Sequence, residues 1–122
     1  MKIYVCHSCG YDYKKELYEP LRKNFLEIEF FFPHEGDNSD LNTLNVIKDC
    51  DLVIGEVSFN SLGVGIELGR AQAFEKKVLL IYKKRQEYNK ALRFISSNLK
   101  EYEDEKDMIR VVSEFLKTTL KL

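Results

Sequence analysis

A β-loop-α-β unit between Asp51 and Tyr82 constrains the fold of this chain more than any other stretch. An apolar run, Asp51–Val57, is followed by a loop with serine and spaced glycines, then by a helical pattern and a second apolar run, Val78–Tyr82. Short apolar runs bounded by turn residues are typical of parallel strands buried on both faces. Free backbone N–H groups at the start of the helix favour binding of an anion or phosphate.

Strands and helices alternate along the rest of the chain as well. The predicted strands are Lys2–Cys6, Ile28–Phe32, Asp51–Val57, Val78–Tyr82 and, as a marginal edge strand, Leu99–Tyr102. The predicted helices are Tyr13–Leu26 (where Pro20 either kinks the helix or begins its main part), Leu41–Lys48, Leu62–Glu75, Ala91–Ser97 and Asp107–Leu120. This alternation is typical of an α/β three-layer sandwich. A flavodoxin-like, Rossmann-like parallel sheet of strand order 2-1-3-4-5 suits it, and ligands would then bind where strands 1 and 3 end.

Glu67 breaks the helical pattern of its own segment. On a helical wheel its carboxylate falls within the apolar arc formed by Leu68, Ala71 and Phe74. A charged group facing the sheet is costly unless it is paired or used, and such misfits tend to mark functional sites. The alternative is a surface pair with Arg70, three residues further along the helix.

The same stretch resembles a known family. Ser61-Leu-Gly-Val-Gly-Ile-Glu67-Leu-Gly-Arg-Ala71, preceded by Asp51-Leu-Val-Ile-Gly-Glu-Val57, is similar to the signature of the nucleoside 2-deoxyribosyltransferase superfamily. The similarity is greatest to its 2'-deoxynucleoside 5'-monophosphate N-glycosidase branch. About twenty residues match with the family's spacing, which is much more specific than a bare Gly-x-Gly. The resemblance implies a single domain over residues 1–122, no metal or other cofactor, and cleavage of an N-glycosidic bond.

The resemblance also implies roles for individual residues. Glu67 would be the nucleophile that forms a glycosyl-enzyme intermediate, and Tyr4 would orient its carboxylate, although a β-favouring core aromatic is equally typical at that position. Ser8 and Ser61 would contact a 5'-phosphate, while Ser61 also suits a helix N-cap. Further substrate-binding candidates are His7, Gly10, Thr43, Gly63, Gly65 and Asn89.

One position departs from the family pattern. The family places an aspartate about two helical turns before the aspartate of strand 3, where it assists the leaving base, and Thr43 occupies that position here. Asp40, about one turn earlier, is a possible substitute and is therefore a candidate catalytic residue. The segment Phe32–Glu35 either lines a base pocket or merely ends a strand.

Composition and charge exclude several classes of protein. The chain has 122 residues, a formal net charge of −1 and no apolar run long enough to cross a membrane, so neither nucleic acid nor membrane is an expected partner. The odd cysteine count and the lack of an export signal favour reduced thiols and a cytoplasmic location. Cys6 and Cys9 form a Cys-x-x-Cys, a motif found in redox proteins and in zinc sites. A structural zinc needs four ligands, and the sequence offers no second Cys-x-x-Cys or paired histidines to complete them.

These observations leave several functional hypotheses open. The first is hydrolysis of a (deoxy)nucleoside 5'-monophosphate. Its rivals are base exchange between deoxynucleosides, a non-catalytic nucleotide-binding module, and an NAD-cleaving enzyme that uses a glutamate. A small-residue stripe, Gly65, Gly69 and Ala73, together with the resemblance, favours a homodimer or higher homo-oligomer in which Asn89 or Lys90 reaches the partner's site. The base and the sugar are not determined by the sequence.

Overall fold

Five parallel strands form one sheet in the order β2-β1-β3-β4-β5, as the sequence predicts. The computed structural model describes residues 1–120. The strands are β1 Lys2–His7, β2 Glu29–Phe31, β3 Leu52–Glu56, β4 Lys77–Lys83 and β5 Leu99–Tyr102. Both β2 and β3 pair with β1, with Tyr4 opposite Phe31 on one side and Val53 on the other. The strand order therefore reverses at β1 and β3.

The three central strands are buried because apolar side chains project from both of their faces. Alternate residues of β1 belong to different cores, with Ile3 and Val5 on one face and Tyr4 and Cys6 on the other. The helices are α1 Glu19–Asn24, α2 Leu44–Asp49, α3 Leu62–Ala73 and α4 Glu105–Leu120. Helices α1 and α4 cover the Ile3 face, and α2 and α3 cover the Tyr4 face. No helix within residues 1–120 is long and apolar enough to cross a membrane.

Two predicted helices differ from the structure at their starts. The segment predicted as Tyr13–Leu26 is a π-helical turn, Lys14–Tyr18, that runs directly into α1, with Pro20 in the first turn of α1. Proline is tolerated there because its missing N–H would lack an intrahelical partner in any case. The helix predicted from Leu41 begins at Leu44, because the Asn42 Oδ1 atom accepts the Leu44 N–H at 3.1 Å and forms a turn first.

Two other predicted elements are shorter or tighter than expected. Strand β2 contains three residues rather than five, and Pro33, which has no N–H to donate, follows soon after its end. The predicted helix Ala91–Ser97 is a 3-10 helix, Lys90–Phe94, which the Asn89 side chain caps. A second 3-10 helix, Gly36–Asp40, lies in the loop after β2.

A buried carboxylate joins the ends of three strands. Glu56 is 1% exposed, and it accepts hydrogen bonds from the Ser58 N–H at 2.7 Å, the Ser58 hydroxyl at 2.9 Å and the Tyr102 hydroxyl. The Ser58 oxygen in turn accepts the Lys83 N–H at 2.7 Å. Burial raises the pKa of Glu56, while these hydrogen bonds oppose the rise. The network fixes the beginning of the loop that leads from β3 to α3.

Helix α3 packs closely on β3 because residue 55 has no side chain. A Cβ atom at Gly55 would lie 3.1 Å from Leu80 Cδ2 and 3.2 Å from Leu68 Cδ2. Leu68, which is fully buried, therefore rests directly on the strand. Since Glu67 is its neighbour in the helix, this contact also sets the height of Glu67 above the sheet.

We expect Gly55→Val to destabilise the fold by roughly 1–3 kcal/mol, because the added methyl groups overpack the contact between β3 and α3. Chemical denaturation monitored by circular dichroism would measure the change. Gly69→Ala is the matched control, since a Cβ atom there meets nothing within 4 Å and alanine favours the helix. Equal stability of the Gly55→Val variant and the wild type would show that the close contact does not hold α3 in place.

Candidate active site

Helix α3 presents Glu67 toward the sheet, as the helical pattern predicts. Ser61 is the N-cap, with an extended backbone and a side-chain oxygen that accepts the Val64 N–H at 3.4 Å. The helix buries Val64, Leu68 and Ala71 against β1, β3 and β4. Glu67 lies on the edge of this buried face and is half-buried.

The Glu67 carboxylate is partly desolvated and incompletely paired. Its Oε2 atom is buried and has no hydrogen-bond partner of normal geometry, and the same holds for the Tyr4 hydroxyl. Burial raises the pKa of Glu67, while hydrogen bonding from Tyr4 and the charge of Arg70 lower it. Within residues 1–120, Arg70 forms no ion pair with an N–O distance of 4 Å or less. A surface pair with Arg70 therefore does not explain the position of Glu67.

Tyr4 lies between Glu67 and Thr43. Its ring is fully buried in β1 and stacks on Phe31, with ring centroids 5.4 Å apart. Burial and the Glu67 charge raise the pKa of Tyr4, and the nearby Thr43 side chain opposes the rise. Tyr4, Thr43 and Glu67 are thus brought together from β1, the start of α2 and α3. Phe31 is not among the residues predicted for the site, although its alternation with Phe32 in β2 was a usable signal.

Ser8 provides a further unpartnered group at the same edge of the sheet. It directly follows β1, is 6% exposed, and its hydroxyl has no hydrogen-bond partner. Gly10 lies close by, since a Cβ atom there would be 3.9 Å from the Ser8 oxygen. Because β1 and β3 are parallel neighbours, Ser8 and the loop that carries Ser61 leave the sheet at the same edge. A buried hydroxyl without a partner is a suitable contact for a bound ligand.

His7 lies on the opposite face of the sheet from Glu67, and the structure does not bring it into this group. Its Nδ1–H donates to the Ser8 carbonyl oxygen at 2.7 Å, and its Nε2 accepts from the Tyr18 hydroxyl at 2.5 Å. Burial lowers the pKa of His7 to about 4, so the ring is neutral at pH 7. His7 therefore fixes the backbone of Ser8 rather than presenting a free nitrogen.

A cavity of about 240 Å³ lies beside the start of α3. Ser61, Gly65 and Asn89 are among its lining residues, so Asn89 lies close to Ser61 of its own chain. The Asn89 Oδ1 atom accepts the Ala91 N–H at 3.0 Å. At Gly63, a Cβ atom would come within 3.9 Å of the Ser61 oxygen. Glu67, Tyr4 and Thr43 line neither this cavity nor the larger grooves of about 620 and 760 Å³.

The remaining sequence candidates are Asp40, the segment Phe32–Glu35 and the two cysteines of the Cys-x-x-Cys. Asp40 is exposed at the end of the 3-10 helix Gly36–Asp40, and it contributes to none of the pKa shifts of Glu67 or Tyr4. Phe32 stacks on Tyr18, at 4.0 Å between ring centroids, in the core on the α1 side, so Phe31 rather than Phe32 is the aromatic residue beside Tyr4. Within residues 1–120, no three His, Cys, Asp or Glu side chains converge as metal ligands, and Cys6 and Cys9 are not bonded to each other.

Known proteins similar to this chain are nucleotide and nucleoside enzymes. A 5-hydroxymethyl-dUMP N-hydrolase of Branchiostoma floridae is 36% identical over 62 residues, which are 49% of this chain and 59% of that protein. The Homo sapiens protein of the same name is 48% identical over 50 residues, 41% of this chain and 25% of that protein. No family model matches the chain.

Solved structures give longer matches. A CMP N-glycosidase of Clostridium botulinum superposes with a TM-score of 0.70 at 26% identity, covering 93% of this chain and 99% of that one. A 2-deoxyribosyltransferase of Bacillus psychrosaccharolyticus superposes with a TM-score of 0.67 at 22% identity, covering 89% of this chain and 90% of that one. These matches bear out the resemblance of the chain to the nucleoside 2-deoxyribosyltransferase superfamily.

The similar proteins confirm the resemblance stated from the sequence, and the superposed CMP N-glycosidase confirms the predicted fold. The match to the two N-hydrolases is partial, because it spans about 59% and 25% of their lengths. The roles of the individual site residues in the superfamily pattern stay predictions for this chain.

We expect Glu67→Gln to stabilise the protein at pH 7. Burial raises the pKa of Glu67 above its ordinary value of 4.5, so ionisation of this group costs the folded state more than the unfolded state. The cost begins as the pH rises through about 4.5 and is complete above the folded-state pKa. The gain in melting temperature should therefore be present at pH 7 and vanish below pH 4.5.

Thermal unfolding of both proteins across this pH range would measure the effect. Glu114→Gln, at an exposed carboxylate on α4, is the control and should show no such pH-dependent gain. A Glu67→Gln variant that is less stable than the wild type at pH 7 would contradict the prediction.

Proposed function

We propose that this protein hydrolyses the N-glycosidic bond of a (deoxy)nucleoside 5'-monophosphate, with Glu67 as the nucleophile. The observation that carries the proposal is the Glu67 carboxylate, which has one buried, unpartnered oxygen at the sheet edge where strand order reverses. A carboxylate held in a poorly solvated site stabilises an adjacent oxocarbenium centre strongly, because little water screens its charge.

The proposed reaction has two steps. Glu67 attacks C1', the C1'–N bond breaks, and its electron pair leaves with the base. Water then attacks C1', the bond from C1' to the Glu67 oxygen breaks, and the sugar phosphate is released while the water proton neutralises the departed base. Tyr4 orients the Glu67 carboxylate in both steps, since the Tyr4 hydroxyl lies beside that carboxylate. Glu67 must be ionised to attack, so activity falls as the pH drops through its pKa.

Two features support a phosphate subsite beside Glu67. The Ser8 hydroxyl is buried and unpartnered. Helix α3, twelve residues long, points its N-terminus toward the same edge and leaves its first N–H groups free for an anion. A 5'-phosphate between Ser8 and Ser61 would satisfy both groups. Serine at position 61 favours a nucleotide over a nucleoside, because an acidic residue there would repel phosphate.

Thr43 favours a second candidate, a nucleotide-binding module without turnover. It stands where a proton donor for the base would be expected, and its hydroxyl lies beside Tyr4. Such a module would bind a nucleotide monophosphate and be stabilised by it, but would release no base. Base exchange is the third candidate, and it would require a free base as the acceptor in place of water.

Removal of the Glu67 carboxylate should lower base release from deoxynucleoside 5'-monophosphates by at least about 10³-fold, because the nucleophile is lost. Chromatography of reactions with a panel of deoxy- and ribonucleotides would measure release by the wild type, Glu67→Ala and the control Glu114→Gln. Rapid acid quenching followed by mass spectrometry should show a sugar phosphate adduct on the wild-type protein and none on the Glu67→Ala variant.

Equal release by the wild type and the Glu67→Ala variant would remove Glu67 from this role. Thermal stabilisation by a nucleotide without any release would support the binding module. Addition of a free acceptor base separates hydrolysis from exchange, since exchange would yield a new nucleotide.

We further propose a homodimer or higher oligomer that covers the outer face of α3. Leu62 and Ile66 are 84% and 48% exposed on this face. Gly65 and Gly69 leave open space beside them that a second helix can enter. An exposed apolar face of this kind is typical of an interface. A cytoplasmic location and a single domain over residues 1–122 stay predictions.

We expect Ile66→Glu to convert the oligomer to monomer, because a carboxylate would be buried without a partner. Light scattering coupled to gel filtration would measure the mass of each variant. Leu26→Glu is the matched control, since Leu26 is 82% exposed on the α1 side, and it should leave the mass unchanged. A monomeric wild type would contradict the proposal.

A further inference from the structure

Lys83, at the end of β4, connects the chain segments that follow β1 and β3. Its backbone N–H donates to the Ser58 hydroxyl oxygen at 2.7 Å, where the loop from β3 to α3 begins. Its side-chain Nζ donates to Glu16 Oε1 at 2.8 Å, in the π-helical turn Lys14–Tyr18 that follows β1. Because β3 lies between β1 and β4 in the sheet, this one residue spans the end of β3.

The Lys83 ammonium group also lies beside two aromatic rings, one from each of these segments. It is 4.6 Å from the centroid of the Tyr11 ring and 5.8 Å from that of the Phe59 ring. The two rings contact each other, with centroids 5.7 Å apart. A cation within about 6 Å of a ring centroid is attracted to the electron-rich face of the ring. We call Lys83, Tyr11 and Phe59 the loop clamp.

The loop clamp lies close to both serines of the proposed phosphate subsite. Tyr11 is three residues after Ser8, and Phe59 is two residues before Ser61. Within residues 1–120, no hydrogen bond joins the loop between β1 and the π-helical turn directly to the loop between β3 and α3. Beyond the paired strands, the separation of the two loops therefore depends on the packing of the clamp.

The charge of Lys83 is already paired within this arrangement. Glu16 accepts its hydrogen bond, and the Lys83 side chain is 28% exposed, so the ammonium group is held in place over the rings. Lys83 also continues the alternation of β4, in which Ile81 faces the core on the α1–α4 side, whereas Glu67 lies on the α2–α3 side. The clamp therefore acts on the geometry of the loops and not on the proposed nucleophile.

We propose that Lys83, Tyr11 and Phe59 are positioning residues, which hold Ser8 and Ser61 at the separation that a 5'-phosphate requires. The inference rests on the proposed function and names the side chains that set its affinity for the phosphate. Hydrogen bonds from hydroxyl groups to phosphate oxygens need distances of about 2.5–3.0 Å. Two serines on separate loops meet this requirement together only when the loops are held at a fixed separation, so loss of the clamp weakens substrate binding and leaves bond cleavage unchanged.

Lys83→Met tests the clamp, because methionine keeps a long, unbranched side chain and the backbone N–H but lacks the ammonium group. We expect the KM for a deoxynucleoside 5'-monophosphate to rise about 10-fold, the order of a lost cation–π contact and ion pair together. The kcat should stay close to that of the wild type, since the groups around Glu67 are untouched. Chromatography of released base over a range of nucleotide concentrations would give both constants.

Three further variants separate geometry from charge. Tyr11→Leu leaves Lys83 charged but removes its ring partner, and it should raise KM to a similar extent. The double variant Lys83→Met/Tyr11→Leu should raise KM little more than either change alone, because both act on one contact. Lys83→Arg should retain the wild-type KM, since a guanidinium group also stacks on aromatic rings and pairs with carboxylates.

Lys84→Met is the matched control. Lys84 is the next residue along the chain, and its Nζ pairs with Glu103 at 3.4 Å, so the change removes an ion pair without touching the loop clamp. This variant should leave KM and kcat unchanged. An equal KM for Lys83→Met and the wild type, or a rise that Lys84→Met shares, would overturn the inference.

Two other results would also contradict it. If Lys83→Met raises KM while Tyr11→Leu does not, Lys83 acts on the phosphate directly through its charge. A fall in kcat at unchanged KM would place the effect at the chemical step instead. If Lys83→Met does not fold, as judged by circular dichroism, Tyr11→Leu and Phe59→Leu decide the question, because each removes one ring of the same clamp.

Thermal unfolding with added nucleotide distinguishes this inference from the hydrolase proposal. The probe is a deoxynucleoside 5'-monophosphate, with the matching deoxynucleoside for comparison. Stabilisation that needs about 10-fold more monophosphate in Lys83→Met than in the wild type would support the clamp, even for a protein that releases no base and so fails as a hydrolase. Base release with the same KM in every variant would support the hydrolase and overturn the clamp.

Discussion

The pairing of β1 with both β2 and β3 is the constraint on which the candidate site depends. Because β1 is the central strand of this trio, its side chains alternate between two cores, and Tyr4 and Ser8 fall on or beside its α2–α3 face. The chain leaves β3 at the same edge and returns through α3, which the absence of a side chain at Gly55 lets approach closely. Tyr4 and Glu67 therefore lie side by side, while Ser8 and Ser61 follow strands that end at the same edge of the sheet.

Two glutamates are desolvated near this edge, and their hydrogen bonding shows how differently they are used. Glu56 accepts hydrogen bonds from Ser58 and Tyr102, which join three strands, so its burial is compensated within the fold. Glu67 keeps a buried oxygen without a partner. Proteins tolerate such uncompensated groups where a ligand completes them, so Glu67 rather than Glu56 is the candidate site residue.

Much of this arrangement was predictable because it follows from periodicity. The inward position of Glu67 follows from a pattern 3.6 residues long, and Glu67 is half-buried on the sheet side of α3. The strand order, which rested on the alternation of strands and helices and partly on the family resemblance, is confirmed. Element boundaries that depend on local hydrogen bonds were harder to predict. The Asn42 side chain accepts the Leu44 N–H, so α2 begins later than predicted, and a π-helical turn precedes Pro20. His7 looked like a site residue because it adjoins Ser8, but strand alternation turns its ring to the opposite core.

The threonine at position 43 has a consequence for Glu67 itself. Burial already raises the pKa of the Glu67 carboxyl, and a second carboxylate beside Tyr4 would raise it further by repulsion. A neutral hydroxyl adds no such repulsion, so a larger fraction of Glu67 stays ionised at a given pH. In the proposed reaction, Thr43 thereby preserves the negative charge that Glu67 needs in order to attack C1'.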